Sequence, residues 1–129
     1  MIKTTRKAGK RKRLASQCDV LISALVLHRD GNVCVKCGKG PESVLQAAHV
    51  LSKGHYPRLR FELLNVLTLC RGCHIFGAHK DPADFMAWIE GKYPGRIELL
   101  RVLAATAAKS DLSELVIGLR LEVQGLSGE

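Results

Sequence analysis

Residues 69–79 read LCRGCHIFGAH and place four metal-ligand side chains, Cys70, Cys73, His74 and His79, within ten positions. How they divide decides the fold. One tetrahedral zinc could take all four, or the stretch could serve two sites. The partner stretch is Cys34-Val-Lys-Cys37, with the same two-residue gap as Cys70-Arg-Gly-Cys73. That gap lets two sulfurs turn toward one ion, and two such pairs complete a structural zinc site. The 32 residues between the pairs exceed what a compact zinc ribbon uses, so an inserted element must lie there. If Cys34, Cys37, Cys70 and Cys73 fill the zinc, no position remains for the imidazoles. His74, next to Cys73, then points away from the sulfurs, because neighbouring side chains on a helix diverge by about 100°. His74 and His79, five residues apart, would diverge by about 140° on an ideal α-helix, too wide for one shared ion. Gly77 lies between them, so either the helix loosens there and His79 ligates from beyond it, or His79 is not a ligand.

Working outward, residues 44–50 and 66–69 are short strand candidates, the second running straight into LCRGCH. Between them, residues 51–64 hold Gly54, Pro57, Lys53, Arg58 and Arg60 and read as an exposed basic loop. His49 ends the first strand, and His55 sits in the loop. Upstream, Ser16-Gln-Cys-Asp19 resembles a helix-starting box, followed by Cys18, Leu21, Ile22 and Leu25 at helical spacing. Cys18 is expected as a buried thiol and His28 as a structural residue; Asp30-Gly31 should end the helix. Downstream, Asp81-Pro82 caps a second helix with Phe85, Trp88 and Ile89 on its buried face, and Pro94-Gly95 breaks it. Ile97, Leu100, Leu103 and Ala104 mark a third helix; Asp111-Leu-Ser-Glu114 starts a fourth with a stripe of Leu112, Leu115, Val116 and Leu119. The expected class is α+β, mostly helical.

The 129-residue length suits one domain, and the 47% apolar content permits a core despite only 5% aromatics. No run of about 18 apolar residues suggests a membrane span, and the chain reads as soluble and cytoplasmic. A reducing compartment argues against disulfides. Charge is uneven: residues 1–13 carry seven basic side chains and no acid, whereas the other 116 residues carry 13 basic and 12 acidic groups. Residues 1–13 therefore read as a disordered basic arm, with Lys10, Arg11, Lys12 and Arg13 as candidate contacts to a polyanion, and residues 14–129 as one domain. The apolar C-terminal helices, at about 96–124, either pack internally or form a homodimer interface.

The run from Cys34 to about Trp88 resembles the HNH nucleases. The matching string is CVKCG, then QAAHV, then RFELLNVLTLCRGCH, then a His before Pro82, with His49, Asn65 and His74 in the family's order between two CxxC pairs. The basic loop ending in Arg60-Phe61 resembles phage-encoded members, including NinG-type recombination endonucleases. The resemblance covers about 55 of the 129 residues and implies a small ββα-metal (His-Me finger) core, about 34–90, with the four-cysteine zinc, flanked by helices. It implies a DNA endonuclease in a bacterial cell, with a phage as candidate source. His49 would be the general base and Asn65 a brace for the loop that positions it. A divalent cation on His74 and His79 would stabilise the scissile phosphate. Lys53, Arg58, Arg60 and Arg71 would grip phosphates. One departure stands out: the position before the general base, often Asp or His in the family, is Ala48. Gln46, His55 or water then completes the ligand set, or His49 is itself a ligand. Mg²⁺ or Mn²⁺ suits a water-rich site, and two imidazoles also accept Zn²⁺, Ni²⁺ or Co²⁺. The competing reading is a zinc-ribbon-like protein that docks DNA without cutting it, or an RNA-binding zinc protein.

Overall fold

A computed structural model describes residues 2–127, with side chains described from residue 6 onward. The chain is mostly helical around a two-stranded antiparallel sheet. Helix α1 spans Ile2–Arg29, β1 Leu45–His49, β2 Val66–Cys70, α2 Pro82–Lys92, α3 Arg96–Thr106 and α4 Leu112–Ser127. Among the described residues, no helix is long and apolar enough to cross a membrane.

The first difference from expectation is α1. The sequence assigns residues 1–13 to a disordered arm and a helix start to Ser16, but the helix already runs from Ile2. Lys, Arg and Ala are good helix formers and no proline interrupts them. Once packing has nucleated the downstream turns, each upstream residue extends the helix for one hydrogen bond. Arg6, Lys7, Lys10, Arg11, Lys12 and Arg13 are all exposed on it. Further along, Ala15, Cys18, Ile22 and Val26 form the buried stripe. His28, expected to be structural, is exposed.

Gly31 (φ 72°) and Asn32 (φ 56°) adopt left-handed backbone and end α1. Asp30 then ties that end to the sheet, accepting from Arg29 Nε at 2.9 Å and from the Thr68 backbone N–H at 2.9 Å. Burial pushes its carboxyl upward, but the bonds from Arg29 and Thr68 outweigh that and hold it below the usual carboxylate range.

The strands pair in the register Leu45↔Cys70 through His49↔Val66. β2 is buried along its whole length and separates two cores by its period of two. Leu67 and Leu69 face a main core with Ala48, Leu59, Phe85, Ile89, Ile97 and Leu100. Val66 joins Cys18, Ile22 and Val26 of α1 and Val116 and Leu119 of α4 in a second core. The segment between the strands is not simply an exposed loop: Leu51 and Leu59 are buried in the main core, and two short 3-10 turns, Pro57–Leu59 and Leu63–Asn65, shape it.

The three later helices begin and end where side-chain chemistry places them. Asp81 accepts from the Asp84 N–H ahead of Pro82. Gly95, at φ 82°, makes the corner between α2 and α3. Asp111 accepts from Ser113 and Glu114 at the start of α4.

Candidate functional site

The sulfurs of Cys34, Cys37, Cys70 and Cys73 all lie within 4.8 Å of one another. A Zn–S bond of about 2.3 Å makes tetrahedral sulfurs about 3.8 Å apart, and the Cys37 and Cys70 sulfurs are 3.6 Å apart. The group could therefore hold a structural metal such as zinc. Gly38 at φ 80° lets the first knuckle turn back, with its N–H on the Cys34 carbonyl at 2.8 Å. In each pair the second cysteine's N–H points at the first sulfur, at 3.5 Å for Cys37 to Cys34 and 3.4 Å for Cys73 to Cys70. Burial raises the Cys34 thiol, yet backbone N–H bonds, led by Cys37, outweigh it and bring the thiol down to about 6. None of the five cysteines is in a disulfide.

After Cys70 the backbone does not continue as an ordinary α-helix. Cys73–His79 is a π-helix, wound through i→i+5 hydrogen bonds. That winding brings residue i+5 back over residue i, which resolves the awkward spacing of the two histidines. The His74 and His79 rings meet edge to face with centroids 4.5 Å apart. Cys73, their neighbour, stays with the sulfurs. The stretch 69–79 thus feeds two clusters.

His74 is oriented from β1. Its Nδ1 lies 2.8 Å from the Gln46 side-chain oxygen; an amide oxygen only accepts, so Nδ1 carries the proton and the Nε2 lone pair is left for a ligand. Burial, then the neighbouring His79 and His49, pushes the His74 imidazole below its ordinary range, which keeps it neutral at neutral pH. Gln46 therefore holds a ligand candidate. His55 is exposed in the loop, with Nδ1 on Ser52 Oγ at 2.8 Å. Ala48 is buried in the main core at 1% exposure, on the strand face opposite His49.

His49, His74 and His79 line one open cleft of about 550 Å³. His49 Nε2 lies 2.9 Å from the Arg60 carbonyl oxygen. A carbonyl cannot donate, so Nε2 holds the proton and Nδ1 is the basic nitrogen. Asn65 is fully buried behind the cleft. Its Oδ1 accepts from the Leu51 N–H at 2.8 Å, and its Nδ2 donates to the Leu51 and Leu59 carbonyls at 2.9 and 3.2 Å. Three bonds from one amide fix the loop that leaves His49. Asn65→Ala strands the Leu51 N–H and carbonyl and leaves the Leu59 carbonyl with the Glu62 N–H alone, so we expect a loss of about 3 kcal/mol in urea unfolding; a loss under about 0.5 kcal/mol would show that water replaces the amide.

The expected phosphate-gripping residues scatter. Lys53 is exposed on the cleft wall. Arg60 also lines the cleft, but its guanidinium is held bidentately by Asp19 of α1, at 3.1 and 2.6 Å. Arg58 donates to the Ala107 carbonyl beyond α3. Arg71 is exposed and outside the cleft lining. Lys10, Arg11, Lys12 and Arg13 project from α1. The sequence reading misses Asp19 and Ser23, two cleft residues one helical turn apart on α1. Asp19 reads as part of a helix-starting box, and its pairing with a residue 41 positions away leaves no local signal. The chain matches no family model, no curated protein and no solved structure.

Proposed function

We propose that the chain is a metal-dependent endonuclease of the HNH type that hydrolyses DNA phosphodiester bonds, with β1, β2 and the helical segment from Cys73 as its ββα-metal core. The observation that carries this reading is the cleft. It gathers His49, His74 and His79 with one basic nitrogen of His49 and one of His74 uncommitted, beside a separate four-sulfur group. A protein that used only four cysteines to dock nucleic acid would have no need of that arrangement.

In this reading a water in the cleft gives its proton to His49 Nδ1 as its oxygen attacks phosphorus and the P–O3′ bond breaks, the departing 3′ oxygen taking its proton from solvent water. The Arg60 carbonyl keeps Nε2–H in place, so the ring turns its base toward the water and stays anchored when it becomes an imidazolium. His74 and His79 fit a divalent cation, being two imidazoles on one helical face, with His74 fixed in the ligating tautomer by Gln46. Such a cation supplies Lewis-acid stabilisation to the phosphate oxygens. Ala48 offers no ligand atom, so water would complete the set that His74 and His79 begin, which would suit Mg²⁺ or Mn²⁺. Lys53 adds positive charge at the cleft wall.

The test is a plasmid-nicking assay with Mg²⁺, Mn²⁺, Co²⁺, Ni²⁺ or Zn²⁺. Nicked or linear product with at least one ion is expected. No cutting of plasmid, single strand or branched junction with any of them would favour the non-catalytic DNA-binding reading.

The basic half of α1 supplies the nucleic-acid contact in this proposal. Removing residues 1–13 deletes seven cations. Every phosphate that the truncated chain leaves without its cation lowers the slope of log K against log salt by about 0.9, so the slope should fall by as much as about 6. An unchanged slope in a salt titration would take this end of α1 out of the interface.

A further inference from the structure

We infer that Asp19 of α1 is a positioning residue for His49, acting through Arg60. The inference rests on the nuclease reading for its kinetic consequence, but its structural content stands on the contacts alone. Arg60 is bonded at both ends. Its backbone carbonyl accepts from His49 Nε2 at 2.9 Å. Its guanidinium is gripped by both Asp19 oxygens, Nε on Oδ1 at 3.1 Å and Nη2 on Oδ2 at 2.6 Å. The same guanidinium lies 5.2 Å from the centre of the Phe61 ring. The residue before it, Leu59, is buried and has its carbonyl held by Asn65 Nδ2. Arg60, whose carbonyl aims at His49, is thus held through the preceding peptide by Asn65 and through its own side chain by Asp19.

The chemistry of the contacts gives the pair this role. A two-point Arg–carboxylate fork fixes orientation as well as distance, which a single hydrogen bond does not. Both side chains are about a third exposed, at 30% and 35%, so the pair is weak as a stabiliser of the whole fold. Its effect is on direction: the Arg60 carbonyl selects the His49 tautomer with the proton on Nε2 and leaves Nδ1 to face the cleft. Asp19 would also neutralise Arg60, leaving Lys53 as the cleft cation from that loop that is free of this pair. Asp19 is therefore a polar link between α1, with its basic end, and the proposed base.

The test uses the full chain with its metal, comparing wild type, Asp19→Asn, Asp19→Glu and, as a control one residue along, Val20→Ala at an exposed position. Long-range ¹⁵N–¹H spectra of the histidine rings read the His49 tautomer. Wild type, Val20→Ala and Asp19→Glu should show the proton on Nε2. Asp19→Asn should show an averaged ring, with kcat for nicking down about ten- to hundredfold and KM unchanged. Asp19→Glu keeps the ion pair and should restore most of the rate. A folded Asp19→Asn with an unchanged His49 spectrum overturns the inference, whether or not it cuts. If Asp19→Asn fails to fold, a fully active Asp19→Glu with an altered His49 ring does the same, and an unaltered ring with retained rate upholds it. A shifted ring in a protein that never cuts DNA keeps the positioning role and removes the nuclease reading instead.

Discussion

Alanine at position 49 is expected to slow plasmid cleavage by about three orders of magnitude while leaving the circular dichroism and the metal content of the cysteine group unchanged. General bases contribute about 10²- to 10⁴-fold, because without them the attacking water must shed its proton to bulk solvent during the reaction. The structural cost should be small. His49 is half-buried at the end of β1, and truncation releases one hydrogen bond, that to the Arg60 carbonyl, at the wall of an open cleft. Water can satisfy that carbonyl, so stability should drop by no more than about 1 kcal/mol. This separation of activity from stability is the informative part. His49→Ala cutting as fast as wild type would remove His49 as the base. A variant that loses both activity and cooperative unfolding would say instead that the imidazole is a structural post.

The second large effect is expected at the sulfurs. Cys34 and Cys70 are the most enclosed of the four, at 1% and 3% exposure, and each receives a backbone N–H from its partner cysteine. A structural zinc in a small domain contributes about 10 kcal/mol or more of apparent binding energy. That is comparable to the whole stability of about 5–15 kcal/mol typical of a domain. Cys34→Ser together with Cys70→Ser should therefore reduce bound zinc from one equivalent to none and abolish cooperative thermal unfolding. The consequence reaches the cleft: the π-helix begins at Cys73, so the His74–His79 pairing should disappear with the metal. A double variant with an unchanged melting temperature would mean that the sulfurs are spectators.

Much of this arrangement is legible in the residues. The two CxxC pairs announce a four-sulfur group because their spacing is a direct statement about reach. The strands, the Asp81-Pro82 start and the stripes of α3 and α4 follow from local pattern, since each is a short-range preference that tertiary packing reinforces. What is not legible depends on distant parts of the chain. The separation of His74 from His79 looks wrong for an α-helix, and only the folded chain, with Cys73 held among the sulfurs and Pro82 starting α2, shows a π-helix there. Gln46 reads as a stand-in ligand, and the structure instead sets its oxygen on His74. Asp19 and Arg60 look like a helix cap and a phosphate clamp, and they satisfy each other. The basic arm shows composition overruled by continuity: a charge run reads as disorder until the helix it extends is known.

That continuity fixes a length. Arg13 lies six residues before Asp19 and Arg6 thirteen before it on one helix, so their backbones stand about 9 and 20 Å from the cleft-facing carboxylate at about 1.5 Å per residue. One turn of duplex DNA is about 34 Å. If the proposed DNA contact holds, the helix would act as a ruler, spacing its cations at strides of roughly a quarter to a little over half a turn from the cleft. A single residue inserted between Arg13 and Asp19 would keep every charge yet swing the basic end by about 100° around the axis.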